Sequence, residues 1–143
     1  MSDIRKHAVQ ATSRLHLRDA HDAPLYADDA NGNADKTKPM VAVIYGHGSR
    51  QHAKWANIAN NRFVQRLKRK GGKADQTEQE QAEERVEMLM IYTQSFENVA
   101  YGELSGEAAV RAVYEDPTLG YIADQVAAHI ADWGNFVKPS TTN

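Results

Sequence analysis

The chain contains no cysteine among its 143 residues. That excludes disulfides, thiolate zinc sites, iron–sulfur clusters and cysteine nucleophiles together, and it fits a reducing compartment. Proline is scarce, at four residues, and aromatics make up only 8%. Neither sign of charge dominates: 17 Lys and Arg stand against 19 Asp and Glu, for a formal net charge of -2. The molecule as a whole is therefore not a polycation suited to nucleic acid. No apolar run approaches the roughly 18 residues of a membrane span, and the opening MSDIRKHAVQ has no apolar signal core. What is present is 41% hydrophobic and 25% charged residues, with a mean hydropathy of -0.65. A chain of this length forms one domain and buries roughly two-thirds of its unfolded surface.

The patterning predicts an α+β fold: a small N-terminal antiparallel sheet or hairpin followed by about four α-helices. Residues 1–12 read as a flexible arm, 13–138 as a single domain, and 139–143 as a flexible tail. Within the domain, 13–48 is the β-rich part with a long loop and 49–138 the helical part. Leu15 and Leu17 alternate with Arg14, His16 and Arg18, a half-buried strand pattern. Asp19 to Lys38 carries five acids and only Leu25 and Tyr26 as large apolar residues. It reads as a turn, a short strand near Pro24–Ala27, and a long solvated loop. The run from Met40 to Gly46 is rich in β-branched residues and is the strongest strand signal.

Everything after Gly48 reads as helix. Ser49 caps a helix from Arg50 to about Lys70, with Trp55, Ala59, Phe63 and Leu67 as one apolar stripe beside Ile58. Gly71-Gly72 stops it. Thr77 to Glu80 has the form of a capping box and opens a helix to about Gln94, with Val86, Leu89 and Met90 inward. After a break at Phe96–Gly102, Ser105 caps a short helix to Tyr114. Asp116-Pro117 begins the last helix, which carries Leu119, Ile122, Val126, Ile130 and Trp133 and ends at Gly134. Trp55, Phe63, Trp133 and Phe136 are expected in the core, or in the core at the edge of a partner groove.

From Arg50 to Lys73 there are eight basic residues and no acid; from Asp75 to Glu87 there are six acids and one Arg. Joined by a short glycine-containing turn, the two blocks predict an antiparallel helical hairpin with its charges facing. The acidic block offers internal counterions to Arg66–Lys73, so that run reads as a solvated helix end and nucleic-acid binding is not expected.

The turn Tyr45–Arg50 is the sharpest local signal. Gly46 and Gly48 permit a tight turn and Ser49 caps the following helix. The turn also looks like the His-Gly-Ser-Arg turn of sirohydrochlorin-type metal chelatases, in which a strand ends at a metal-binding His, here His47. The likeness covers about ten residues, and His52 and His129 are poorly placed as further ligands. Asp29, Asn31, Asn33 and Asp35 alternate like the start of a calcium loop, but Ala34 and Met40 stand where such a loop needs Gly and Glu. A flexible loop is the expected reading there. No catalytic, cofactor or metal residue is assigned, and no enzyme activity is expected.

The layout as a whole carries a resemblance. It runs from SRLHLRDAHDAPLY (13–26) through the Gly46-His47-Gly48-Ser49 turn and NNRFVQRLKRKGG (60–72). It continues with TQSFENVAYGE (93–103) and AVYEDPTLGYIADQVAAHIADWGNF (112–136). From about Thr12 to Ser140 the chain resembles tail assembly chaperones of long-tailed double-stranded DNA bacteriophages, most specifically over Val113–Phe136. The resemblance implies a protein-binding role in the host cytoplasm during phage assembly: coating the tape-measure protein, recruiting tail tube subunits, and possible self-association. It brings no catalytic residues, cofactor or membrane. A client groove would be lined by Tyr114, Ile122, Val126 and Trp133; alternatively these four fill the monomer core. The second functional expectation is a structural virion protein, a minor tail or head-stabilising component. The third is a metal chelatase.

Overall fold

The computed structural model describes residues 1–69 and 76–138. Gly71-Gly72, the charges at Lys70, Lys73 and Asp75, and the tail 139–143 lie outside the described residues. The fold is α+β. Strands β1 (Thr12–His16), β2 (Tyr26–Asp28), β3 (Ala34–Pro39) and β4 (Val41–Tyr45) come first. Helices α1 (Arg50–Arg69) and α2 (Glu78–Tyr92), strand β5 (Thr93–Glu97), and helices α3 (Gly106–Glu115) and α4 (Gly120–Ala131) follow. Short 3-10 turns cover Ile4–His7, Pro117–Leu119 and Trp133–Phe136.

The main sheet has the order β1-β4-β5, antiparallel throughout. The central strand VAVIY buries Val41, Ala42 and Ile44, as expected of a strand covered on both faces. Strand β5 takes the end of the helix expected to about Gln94 and the start of the break expected from Phe96. It starts with no intervening loop, because Thr93 leaves helical geometry at φ -101, ψ 114 as the C-cap of α2. A bulge between Val43 and Ile44 admits the extra residue of β5. Arg14 on β1 reaches over β4 to Glu97 on β5 in a bidentate pair, both contacts at 2.6 Å. Glu97 is held below its usual carboxylate range by that guanidinium.

The short strand expected near Pro24–Ala27 forms as β2, and the long loop expected after it instead contains β3, which pairs with β2 in a hairpin. Strand β3 (ADKTKP) has no large apolar residue, so alternation gives no sign of it. Asp29 organises its turn, accepting from the Asn31 and Asn33 amides at 2.8 and 3.0 Å. The residues resembling a calcium loop thus form a hairpin turn, with Gly32 at φ +80. The first strand begins at Thr12, and the preceding segment is partly docked. Val9 packs against the core, and the Gln10 amide donates to the Phe136 carbonyl at 2.7 Å.

Helix α1 is capped as expected: Ser49 Oγ accepts from the His52 amide at 3.2 Å. Thr77 does the same for α2, accepting from the Glu80 amide at 3.1 Å. The two helices fold back on each other, and Arg62 meets Glu87 at 2.5 Å and Arg66 meets Glu84 at 3.4 Å. Ser105 occupies the N-cap position of α3 but its side chain makes no cap bond. Asp116 caps a 3-10 turn through Pro117, and α4 starts only at Gly120. The last helix is therefore shorter than expected. Asp132 interrupts it and caps a separate turn, accepting from the Gly134 amide at 2.9 Å.

The core lies between the sheet and α2, α3 and α4, built around Leu17, Ile44, Leu89, Val126 and Phe136. Of the four aromatics expected there, Phe136 is buried and Trp55 is half-buried against the core, whereas Phe63 and Trp133 are exposed. Among the described residues no helix is long and apolar enough to cross a membrane.

Candidate partner-binding groove

Helices α2, α3 and α4 leave an open groove of about 550 Å³ between them. Its floor is apolar: Val86 and Leu89 from α2, Tyr114 from α3, Pro117, and Gly120 and Ala123 at the start of α4. The small residues come from the chain's change of direction after α3. Asp116 stops α3, Pro117 sets the next turn, and Gly120 has no side chain to close the opening. A β-carbon added at Gly120 would meet nothing within 4 Å.

The rim is charged. Glu83, Glu87, Glu115 and Asp116 outnumber Arg85 and Arg111. Arg85 reaches Asp124 at 2.5 Å, and Arg111 approaches Glu115 at 3.7 Å. Asp116 is fixed by three donors: the Thr118 hydroxyl at 2.6 Å, the Thr118 amide at 2.9 Å, and the Tyr101 hydroxyl at 2.8 Å. These bonds, the Thr118 hydroxyl foremost, hold its carboxyl below the usual range. The same contact with Asp116 pushes the Tyr101 phenol up.

Of the four residues expected to line a client groove, three do not present a free surface. Tyr114 is 7% exposed, Ile122 4% and Val126 0%. Tyr114, Ile122 and Val126 all belong to the core cluster, which is the alternative expectation for them. Tyr114 alone of the four borders the groove; its hydroxyl faces inward, 2.6 Å from Thr93 Oγ1, and burial pushes its phenol well up. Trp133 is 53% exposed but lies elsewhere, beyond the break at Asp132. Helical spacing alone placed these residues on one face. It did not register that the core-facing stripe of α4 is used up by the sheet, leaving Gly120 and Ala123 on the groove side. A Pro-x-x-Gly step into a helix, as at Pro117–Gly120, is the sequence signal that marks the opening.

Trp133 packs against the Gly46–Ser49 turn. The His47 ring lies 5.2 Å from the Trp133 ring and 4.6 Å from the His52 ring, centroid to centroid. His52 Nδ1 is 2.6 Å from the Tyr92 hydroxyl. Ser49 closes the turn, its Oγ donating to the Gly46 carbonyl at 2.6 Å. Gly46 serves close packing rather than an unusual φ, since an added β-carbon would sit 2.8 Å from the Phe136 ring. Gly48 also has an ordinary φ, with Val9 3.3 Å from where its β-carbon would be. The two imidazoles at the turn are met by aromatic rings. Among the described residues no three His, Asp or Glu side chains converge as a metal site would require.

No protein-family model, no curated protein and no solved structure matches this chain.

Proposed function

We propose that the protein is a non-enzymatic binding module that holds an amphipathic helix of another polypeptide in the groove between α2, α3 and α4. This is the role of the phage tail assembly chaperones it resembles, with the tape-measure protein as client and tail tube subunits as later recruits. The observation that carries the reading is the groove itself: Val86, Pro117 and Gly120 line its open part above the buried Leu89, Tyr114 and Ala123, and charged side chains form its rim. A client helix in such a groove is read through apolar anchors at i, i+3, i+4 and i+7. The excess of rim carboxylates favours a client flanked by Lys and Arg, and makes binding weaken as salt rises. A chaperone must release its client, which a hold in the micromolar range, about -8 kcal/mol, allows.

The test is a pull-down and titration of helical tape-measure fragments with the intact chain. Gly120→Leu fills the groove at a site with free space, and Arg111→Glu changes the exposed rim. Binding weakened about tenfold or more by Gly120→Leu, with unchanged circular dichroism, supports the reading. Equal binding by wild type and Gly120→Leu overturns the groove as the client site. Persistence of the protein in purified virions would favour the structural-component alternative.

A further inference from the structure

The tip of the β2–β3 hairpin holds the pair Asn31-Gly32. Both residues are exposed. The Asn31 backbone amide donates to Asp29 Oδ1 at 2.8 Å, but its side-chain carboxamide has no partner among the described residues. The next residue has no side chain, and a β-carbon placed on Gly32 would meet nothing within 4 Å. An electrophilic carboxamide carbon thus stands beside a main-chain nitrogen that no side chain shields.

The other described asparagines each lack one of these features. Asn57, Asn60 and Asn61 lie inside α1, where the amide of the following residue is held in a helical bond. Asn98 donates its carboxamide to the Pro39 carbonyl at 2.8 Å, and Asn135 donates to the His129 carbonyl at 3.1 Å. Bulky residues, Val99 and Phe136, follow those two. Asn33 is followed by Ala34, the first residue of β3.

From this contrast we infer that Asn31 is a site of self-modification, at which the chain converts its own asparagine to isoaspartate and aspartate. The Gly32 nitrogen gives up its proton to solvent and attacks Cγ of Asn31. A new C–N bond closes a succinimide ring, the Cγ–Nδ2 bond breaks, and the side-chain nitrogen leaves as ammonia. Water then opens the ring. Addition at Cγ gives aspartate; addition at the main-chain carbonyl carbon gives isoaspartate, in which the main chain runs through Cβ and Cγ. Water is the only co-reactant, and nothing is oxidised or reduced.

Asp29 sets the pace of this reaction. Its main-chain carbonyl accepts the Gly32 N–H at 3.1 Å, a bond that opens before the nitrogen can attack. Its carboxylate accepts from the Asn31 and Asn33 amides. Bonds at an exposed hairpin tip open at low free-energy cost, so the turn slows the conversion without preventing it. Either product adds a negative charge beside Asp28 and Asp29, and isoaspartate also lengthens the main chain within the turn. The other end of the hairpin is tied to the end of β1. There the Leu17 amide donates to the Met40 carbonyl and the Leu25 amide to the Leu17 carbonyl, both at 2.9 Å. The change therefore stays at the tip, and it is independent of the client reading.

The test incubates the intact folded chain in mildly alkaline buffer. Conversion is followed by peptide mass mapping and by labelling with an isoaspartate-specific carboxyl methyltransferase. Asn31 should convert at least about tenfold faster than any other described asparagine, a barrier difference of about 1.4 kcal/mol. Asn31→Gln should lose the methyl label. Asp29→Ala removes two bonds from the turn and should convert roughly threefold faster or more, with unchanged circular dichroism. Conversion of another described asparagine ahead of Asn31 overturns the proposal, as does a chain that stays intact at Asn31 while its guanidinium-unfolded form converts. A label that survives Asn31→Gln also overturns it, and an Asp29→Ala rate equal to wild type removes Asp29 as the gate.

Discussion

The ring of Phe136 occupies the space in which a side chain of Gly46 would begin. The approach, 2.8 Å to an ideal β-carbon, joins the last 3-10 turn to the end of the central strand. It also lies beside the hydrogen bond from the Gln10 amide to the Phe136 carbonyl. Three distant parts of the chain are thus tied at one point.

Gly46→Ala is expected to destabilise the fold by about 1–3 kcal/mol, the range for overpacking a well-filled core. Phe136→Ala is expected to cost about 3–5 kcal/mol through the cavity it leaves. The pair should be non-additive, since the smaller ring site relieves the added methyl. Urea denaturation of the two single variants and the double variant measures all three values. Additive losses would contradict the contact.

The Thr93 and Tyr114 hydroxyls satisfy each other inside the core at 2.6 Å. Tyr114→Phe or Thr93→Val alone leaves a buried hydroxyl unpaired and should cost about 1–3 kcal/mol. The double variant removes both groups and should be less destabilised than the sum of the two, with a coupling near 1 kcal/mol. This double-mutant cycle tests the placement of β5, because Thr93 is its first residue.

His129 gives a pH dependence. Burial lowers its pKa from the ordinary value, against a weaker opposing effect of Asp132. Its Nε2 is 2.9 Å from Ser13 Oγ, and the Phe136 ring packs beside it. The folded state therefore disfavours the imidazolium relative to the unfolded chain. The contribution to stability is full above the unfolded pKa, about 6.5, and is lost as the pH falls from there through the lower folded pKa. His129→Gln should flatten the stability profile over that window relative to wild type. The difference between the two urea midpoints at pH 7.5 and pH 5 reads it; a difference that does not change with pH would refute it.

Much of the helical part was legible because capping is local. Ser49, Thr77 and Asp116 each accept from the amides that their sequence positions predict. The α1–α2 hairpin was legible from its charge blocks, and Arg62–Glu87 and Arg66–Glu84 fulfil it. Strand β5 was not, because TQSFE follows α2 without a breaker and its partner β4 is remote in sequence. The stripe Trp55, Ala59, Phe63, Leu67 shows a further limit. Steps of four drift about 40° each around a helix of 3.6 residues per turn, so the row begins against the body at Trp55 and has turned to the open side by Phe63. The groove escaped notice because it is made by small residues, Gly120 and Ala123, whereas hydrophobic patterning highlights large ones.

The position of β4 between β1 and β5 bears on how the chain is made. During synthesis β4 emerges with β1 as one neighbour, and its other edge stays open until α1, α2 and then Thr93–Glu97 have followed. An exposed edge of VAVIY is a template for pairing with other chains. Nascent or truncated forms ending before Thr93 therefore carry a sticky ribbon that the finished protein conceals, and completion of the sheet waits on a late, non-local contact.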